Sequence, residues 1–79
     1  MNFPIRGAVY HNIQNMSEQE LREMVNDSIQ RGEEKLLPGL GVVFEVIWEN
    51  SDDNSRKQMI HTLHEHLPRE KAAPPVSPS

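Results

Sequence analysis

His61, His64 and His66, in the stretch His-Thr-Leu-His-Glu-His, are the side chains whose type and spacing most invite a chemical reading. Imidazoles three apart are neighbours on a helix, so His61 and His64 would share one face, and His61 would also face Glu65 at i+4. That is the start of a metal site. It is incomplete: His66 points elsewhere on the same helix, and a closed tetrahedral site needs further ligands that nothing else in the sequence marks. The plainer reading is a solvated helix terminus, where a cation-forming side chain meets the negative end of the dipole. No metal ligand and no cofactor are assigned.

Three other groups invite chemistry and fall short of it. Pro38-Gly39-Leu40-Gly41 is glycine-rich but lacks both the Lys-Ser/Thr of a phosphate loop and the spacing of a dinucleotide fingerprint. It reads as a helix entrance that permits close packing. Glu33, Glu34 and Glu45 would need a pocket and shifted proton affinities to act as acid or base, and a chain of 79 residues offers little room for one. Ser17 and Ser51 lie in no nucleophile signature, and helix capping accounts for them. No residue is assigned a catalytic role, and the chain reads as non-enzymatic.

The elements that carry these residues follow from periodicity. Pro4 to Gln14 reads as a first helix, with Pro4 in its first turn, Asn2 as a cap, and Ile5, Ala8, Val9 and Ile13 on one face. Ser17-Glu18-Gln19-Glu20 is a capping box, and Met16 and Leu21 flank it as a hydrophobic staple. Leu21, Met24, Val25, Ser28 and Ile29 then form one stripe of a second helix. Gly32 follows as a left-handed terminator, with Arg31 in the last turn.

A short connector, Glu33 to Leu37, leads to Pro38, which disfavours helical geometry at Leu37 and predicts a break there. Val42 to Trp48 is ambiguous. Its β-branched and aromatic content suits a strand, but no second convincing strand exists, and a lone strand leaves its backbone groups unpaired. The helical reading is preferred, and it places Leu40, Val43, Phe44, Ile47 and Trp48 on one broad face as candidate core or interaction residues. Asn50 to Ser55 is a turn and capping cluster. A last helix carries Met59, Ile60, Leu63 and Leu67 and stops at Pro68. The expected fold is all-α, a small bundle of three to four short helices: one helical domain over residues 1–67, followed by a disordered C-terminal tail over 68–79, rich in proline and poor in apolar residues.

Bulk properties narrow the partners. The formal charge is −4, and eight Lys and Arg are scattered rather than clustered. Nucleic-acid binding needs cations that displace counterions from phosphates, so DNA is a disfavoured partner. Protonating the four His would bring the formal charge to zero, and protonating the carboxylates would leave a cation, a balance compatible with solubility in strong acid. There is no Cys, which removes disulfides and thiolate chemistry. The N-terminus lacks the basic and apolar regions of a secretory signal, and no window reaches the ~20 apolar residues of a membrane span; no membrane partner is expected. Apolar residues make up 35% and the aromatics number four. So thin a core makes self-association or partner binding relevant to stability.

The run from Ser28 to Asn50 closely resembles small, acid-soluble spore protein I of spore-forming Bacilli. The pattern G-E-E-K-x-L-P-G-L-G-V-x-F-E-V-I-W-x-N-S maps without a gap onto Gly32 to Ser51. Weaker similarity runs through Phe3–Asn15 and the last helix, covering roughly residues 2–67. The tail from Pro68 and the His-rich stretch depart from the family pattern. The resemblance implies a minor protein of sporulation, made in the forespore and held in the spore core. It does not imply the DNA-protecting activity of the major spore proteins, whose Gly- and Ala-rich DNA-binding sequences are absent here. It brings no catalytic residues. The partners to be expected are a second copy of the chain or another spore-core protein, with DNA association as the alternative.

Overall fold

The computed structural model describes residues 4–68. Four α-helices follow one another: α1, Ile5–Ile13; α2, Glu18–Arg31; α3, Leu37–Glu49; and α4, Asp53–His66, with a 3-10 turn at Glu34–Leu36 leading into α3. No strand occurs among the described residues. The fold is all-α, and the Val42–Trp48 run is helical. Asn2 and the tail expected over 68–79, apart from Pro68, lie outside the described residues.

α2 forms as its sequence dictates. The Ser17 hydroxyl accepts from the Glu20 amide at 3.1 Å, and the Glu20 carboxylate accepts from the Ser17 amide at 2.8 Å. Two of the donors orphaned at a helix start are thereby satisfied. Gly32 ends the helix in the left-handed region at φ 61°, and its amide reaches the Ser28 carbonyl. Leu21, Met24, Val25 and Ser28 are half-buried, but Ile29 stays 62% exposed and does not belong to the packed stripe.

Two expectations at prolines are corrected. Pro4 stands at the N-cap of α1, one position before its first turn, in extended geometry and without a side-chain cap bond. At Leu37 no break occurs: Leu37 is helical at φ −61°, ψ −40° and opens α3, with Pro38 in the first turn. The amides of a first turn have no intrahelical acceptor, so proline loses nothing by lacking one there. The 3-10 turn has already set the chain direction, with the Leu36 amide on the Glu33 carbonyl at 3.0 Å, and this overrides the local bias against helical geometry before proline.

The α3–α4 junction is fully partnered. Asn50 Nδ2 donates to the Val46 carbonyl at 2.9 Å and Ser51 Oγ donates to that of Ile47 at 2.6 Å. Arg56 reaches back to the carbonyls of Trp48 at 2.8 Å and Glu49 at 3.4 Å. All four final carbonyls of α3, normally orphans, are satisfied, and a cation sits at the negative end of the helix. Asp52 caps α4 by accepting from the Ser55 amide at 2.8 Å. The polar cluster after Trp48 thus serves two helices: Asn50 and Ser51 finish one, and Asp52 begins the next. Pro68 follows Leu67, which has left the helix at ψ 132°.

α3 is the hub. α1 crosses it closely: a Cβ on Gly39 would lie 4.0 Å from Val9 Cγ2, ordinary van der Waals contact. Val42, on the side of α3 shared with Ile5 and Pro38, is the one buried apolar residue among those described, at 7% exposure. Every residue from Ile60 to Pro68 is exposed.

Candidate functional site

α3 offers three sides, and the five residues assigned to one broad face divide between two of them. Leu40, Val43 and Ile47 face α2 and α1. Leu40 and Val43 are half-buried, while Ile47 is 48% exposed. Phe44 and Trp48 form a pair on the adjacent side, ring centroids 5.8 Å apart and tilted by 40°, the range of a favourable aromatic contact. Phe44 is 49% exposed and Trp48 half-buried. The third side, Pro38, Val42 and Glu45, takes α1. An apolar helix surrounded on one side only by close packing leaves the others open, and two grooves result.

The first groove, about 470 Å³, runs between α1, α2 and the start of α3, and Ile13, Met24, Leu40 and Val43 line it. The second, about 480 Å³, lies between α2 and α3, with Leu21, Met24 and Val25 on one wall and Val43, Val46 and Ile47 on the other; Glu18 and Arg22 stand at its rim. Ile13, Met24 and Val43 line both, so the two grooves adjoin along these side chains as the two parts of an apolar trough. Half-filled apolar volume of this kind forfeits contacts that a close-packed interior would make.

The electrostatics are those of scaffolding. Arg6 donates from Nε to Glu45 Oε1 at 2.7 Å and from a terminal nitrogen to Oε2 at 2.9 Å, a forked pair joining α1 to α3. The hydrogen bond from Arg6 holds the Glu45 carboxyl below its ordinary range, and Glu45 in turn raises Arg6 further. Glu45, considered from sequence as an acid or base, is therefore a tied carboxylate. The amide of Ser55 likewise lowers Asp52. Glu33 accepts from Arg31 at 3.3 Å and faces Lys35 at 3.7 Å, and Asp27 faces Arg31 at 3.7 Å. Glu34 is exposed in the first residue of the 3-10 turn.

The imidazoles are spread along the exposed end of α4. His64 Nδ1 lies 3.9 Å from Glu65 Oε2, and His66 places Nδ1 2.8 Å from the Thr62 carbonyl, to which it donates when that nitrogen is protonated. His61 lies beside Lys57. Among the described residues, no group of three His, Cys, Asp or Glu is placed to hold a metal ion. No described helix is long and apolar enough to cross a membrane.

Sequence reasoning missed three features. Val42 was hidden because an almost wholly apolar run gives no periodicity from which to choose the buried position. The Arg6–Glu45 pair spans 39 residues, beyond any local pattern. Arg56 had a local signal, a basic residue just past a helix end, which points to carbonyl capping.

The family model described as "Small, acid-soluble spore protein I" matches residues 3–67. Proteins named small, acid-soluble spore protein I are similar over most of both chains. The one from Bacillus cytotoxicus is 55% identical over 67 residues, 85% of this chain and 96% of its own. One from Bacillus cereus and one from Bacillus mycoides are each 52% identical, over 85% of this chain and 97% of theirs. No solved structure matches the chain significantly.

Proposed function

The chain belongs to the small, acid-soluble spore protein I family, and from that premise we propose that it is a non-enzymatic protein of sporulation, resident in the spore core, that works by associating with protein through the apolar surface of α3 and its trough. The observation that carries this reading is the pair of adjoining apolar grooves between α1, α2 and α3. Its α3 wall includes apolar side chains left well exposed, Ile47 at 48% and Val46 at 39%. Contiguous apolar surface of this kind marks interaction sites on small soluble proteins. Family membership supports the spore assignment, and the distribution of charge supports a protein partner over DNA: Arg6, Arg31 and Lys35 each face a carboxylate of the same chain rather than forming a cationic stripe.

The test combines sedimentation equilibrium of the purified chain with capture from spore extract, wild type beside Ile47→Asp. Association that the substitution weakens, with helicity retained, upholds the reading. A strict monomer that captures no spore protein sinks it. A mobility shift on duplex DNA at low salt, unaffected by Ile47→Asp, would favour DNA association instead.

A further inference from the structure

Val42-Val43-Phe44-Glu45-Val46-Ile47-Trp48 sits in a helix that its composition does not favour. Six of the seven residues are β-branched or aromatic, and such side chains lose rotamer freedom against the preceding helical turn while fitting a pleated strand well. The first turns of α3 hold Pro38, Gly39 and Gly41, and its N-cap, Leu36, makes no side-chain bond. Gly is among the poorest helix formers, so little at this end favours the helix locally. Context holds it instead. The forked pair of Glu45 with Arg6 ties the segment to α1, Val42 is buried at that crossing, and Asn50, Ser51 and Arg56 close the far end. Much of the segment gains little from burial: Phe44, Val46 and Ile47 are 39–49% exposed.

In the single chain helix prevails, because a lone strand leaves its amides and carbonyls unpaired and no described segment is a strand. A second copy of the same segment removes that obstacle. We infer that Val42–Trp48 has a second state, a β-strand that pairs in register with the same segment of other copies of this chain, and that Glu45 is the residue that opposes it. The window has the composition for this. It holds no Pro or Gly and one charge, and turn-formers bound it on both sides, Pro38, Gly39 and Gly41 before it and Asn50 to Asp53 after it. No other seven-residue window of the chain combines these features. Strand alternation places Val43, Glu45 and Ile47 on one face and Val42, Phe44, Val46 and Trp48 on the other. The second face is apolar throughout, which suits the dry contact between two stacked sheets. In register, identical side chains repeat at about 4.7–4.8 Å. Phe44 then lies on Phe44 and Trp48 on Trp48, which is favourable, while Glu45 lies on Glu45, which is not. The carboxylate bound to Arg6 in the helix is thus the charge that every rung of the stack would repeat. This state is separate from the native association proposed above, because it requires the segment to leave the helix.

Full-length wild type, Glu45→Gln, Arg6→Gln and Val46→Lys are each held at their own urea midpoint at neutral pH, so that equal fractions are open, and followed by thioflavin T fluorescence and circular dichroism. The wild type is expected to exchange helical signal for β signal after a lag that shortens with concentration, and the product to diffract at about 4.7–4.8 Å. Glu45→Gln should shorten the lag about two- to fivefold, the weight of one cross-strand like-charge contact, because a Gln ladder pairs where a Glu ladder repels. Arg6→Gln breaks the same clamp but leaves the carboxylate, and should keep the wild-type lag. Val46→Lys puts a charge on the apolar face and should suppress assembly. An isotope-labelled carbonyl carbon at Phe44 should lie about 4.8 Å from its counterpart in the next copy. A wild type that yields no β product overturns the second state. Assembly that Val46→Lys leaves unchanged places the strand elsewhere and overturns it too. Equal acceleration by Glu45→Gln and Arg6→Gln, or a carbonyl spacing well beyond one strand separation, overturns the in-register stack opposed by Glu45.

Discussion

Arg6 and Glu45, 39 residues apart, meet through two hydrogen bonds of 2.7 and 2.9 Å and tie α1 across α3. The guanidinium fork matches the carboxylate edge to edge, which fixes orientation as well as distance. Val42 packs beside this clamp, one turn from Glu45. The polar bridge and the one buried apolar residue described therefore act on the same helix crossing.

The clamp makes stability depend on acid. Glu45 is held below its ordinary range by Arg6, and Asp52 by the Ser55 amide. Each carboxylate binds its proton more weakly folded than unfolded, so each contributes stability above its unfolded pKa, about 4.3 for Glu and 3.9 for Asp. That contribution is lost as pH falls through the depressed folded values. Urea unfolding followed by circular dichroism should show no dependence from these groups between about pH 5 and 7, and a decline below about pH 4. Glu45→Gln should be slightly less stable at pH 7, by a few degrees in Tm at most because the pair is exposed to water, and should show a shallower decline in acid. An equal decline in the variant would remove Glu45 from the account.

Val42→Ala should destabilise by about 1.5–2.5 kcal/mol, from two lost methyl groups and the void they leave. In a chain with so few buried side chains that is a large fraction of the total. Ile29→Ala, at a position 62% exposed, should shift the urea midpoint little. Equal effects at the two positions would contradict the packing.

Two glycines should respond in opposite directions. Gly41 lies inside α3 with open space where a Cβ would point, so Gly41→Ala should stabilise by about 0.8–1 kcal/mol through helix propensity. Gly32 ends α2 at φ 61°, so Gly32→Ala should destabilise by about 1 kcal/mol or more. Thermal unfolding of both variants side by side decides the matter.

Ser17→Ala should cost about 1 kcal/mol, the typical value of a lost N-cap, because the Glu20 amide loses its acceptor. Ser17→Asp should recover most of it, since aspartate accepts from the same amide. Amide exchange at Glu20 should quicken in the alanine variant alone.

Arg56→Ala should loosen α4 selectively. Its guanidinium is the main tie from α4 to the end of α3. The variant should lose helical signal from a 14-residue element while α2 keeps its amide protection, and the fluorescence of the one Trp should shift as the cation leaves its ring. Arg56→Lys should retain the charge and only part of the effect, because an ammonium cannot bridge two carbonyls in the same fork.

What was legible from sequence is what short-range physics controls. The capping box at Ser17 and Glu20, the left-handed Gly32, a cap for α4 from the Asn50–Ser55 cluster and the stop before Pro68 depend on groups within four residues, and the structure shows each one, with Asp52 as the cap. The helical state of Val42–Trp48 was reachable by elimination, since a strand without a partner strands its own amides and carbonyls. Family membership was legible in the wording of Gly32–Ser51. Tertiary structure decided the rest. At Leu37 the preceding 3-10 turn outweighed the proline bias. Ile29 fits the stripe of α2 by spacing yet remains open to water. Leu40, Val43 and Ile47 parted from Phe44 and Trp48 because α3 has neighbours on more than one side. In a run that is apolar at almost every position, sequence specifies that the helix will be covered, and only the crossing of α1 over α3 selects Val42, under Arg6 and Glu45, as the residue that is.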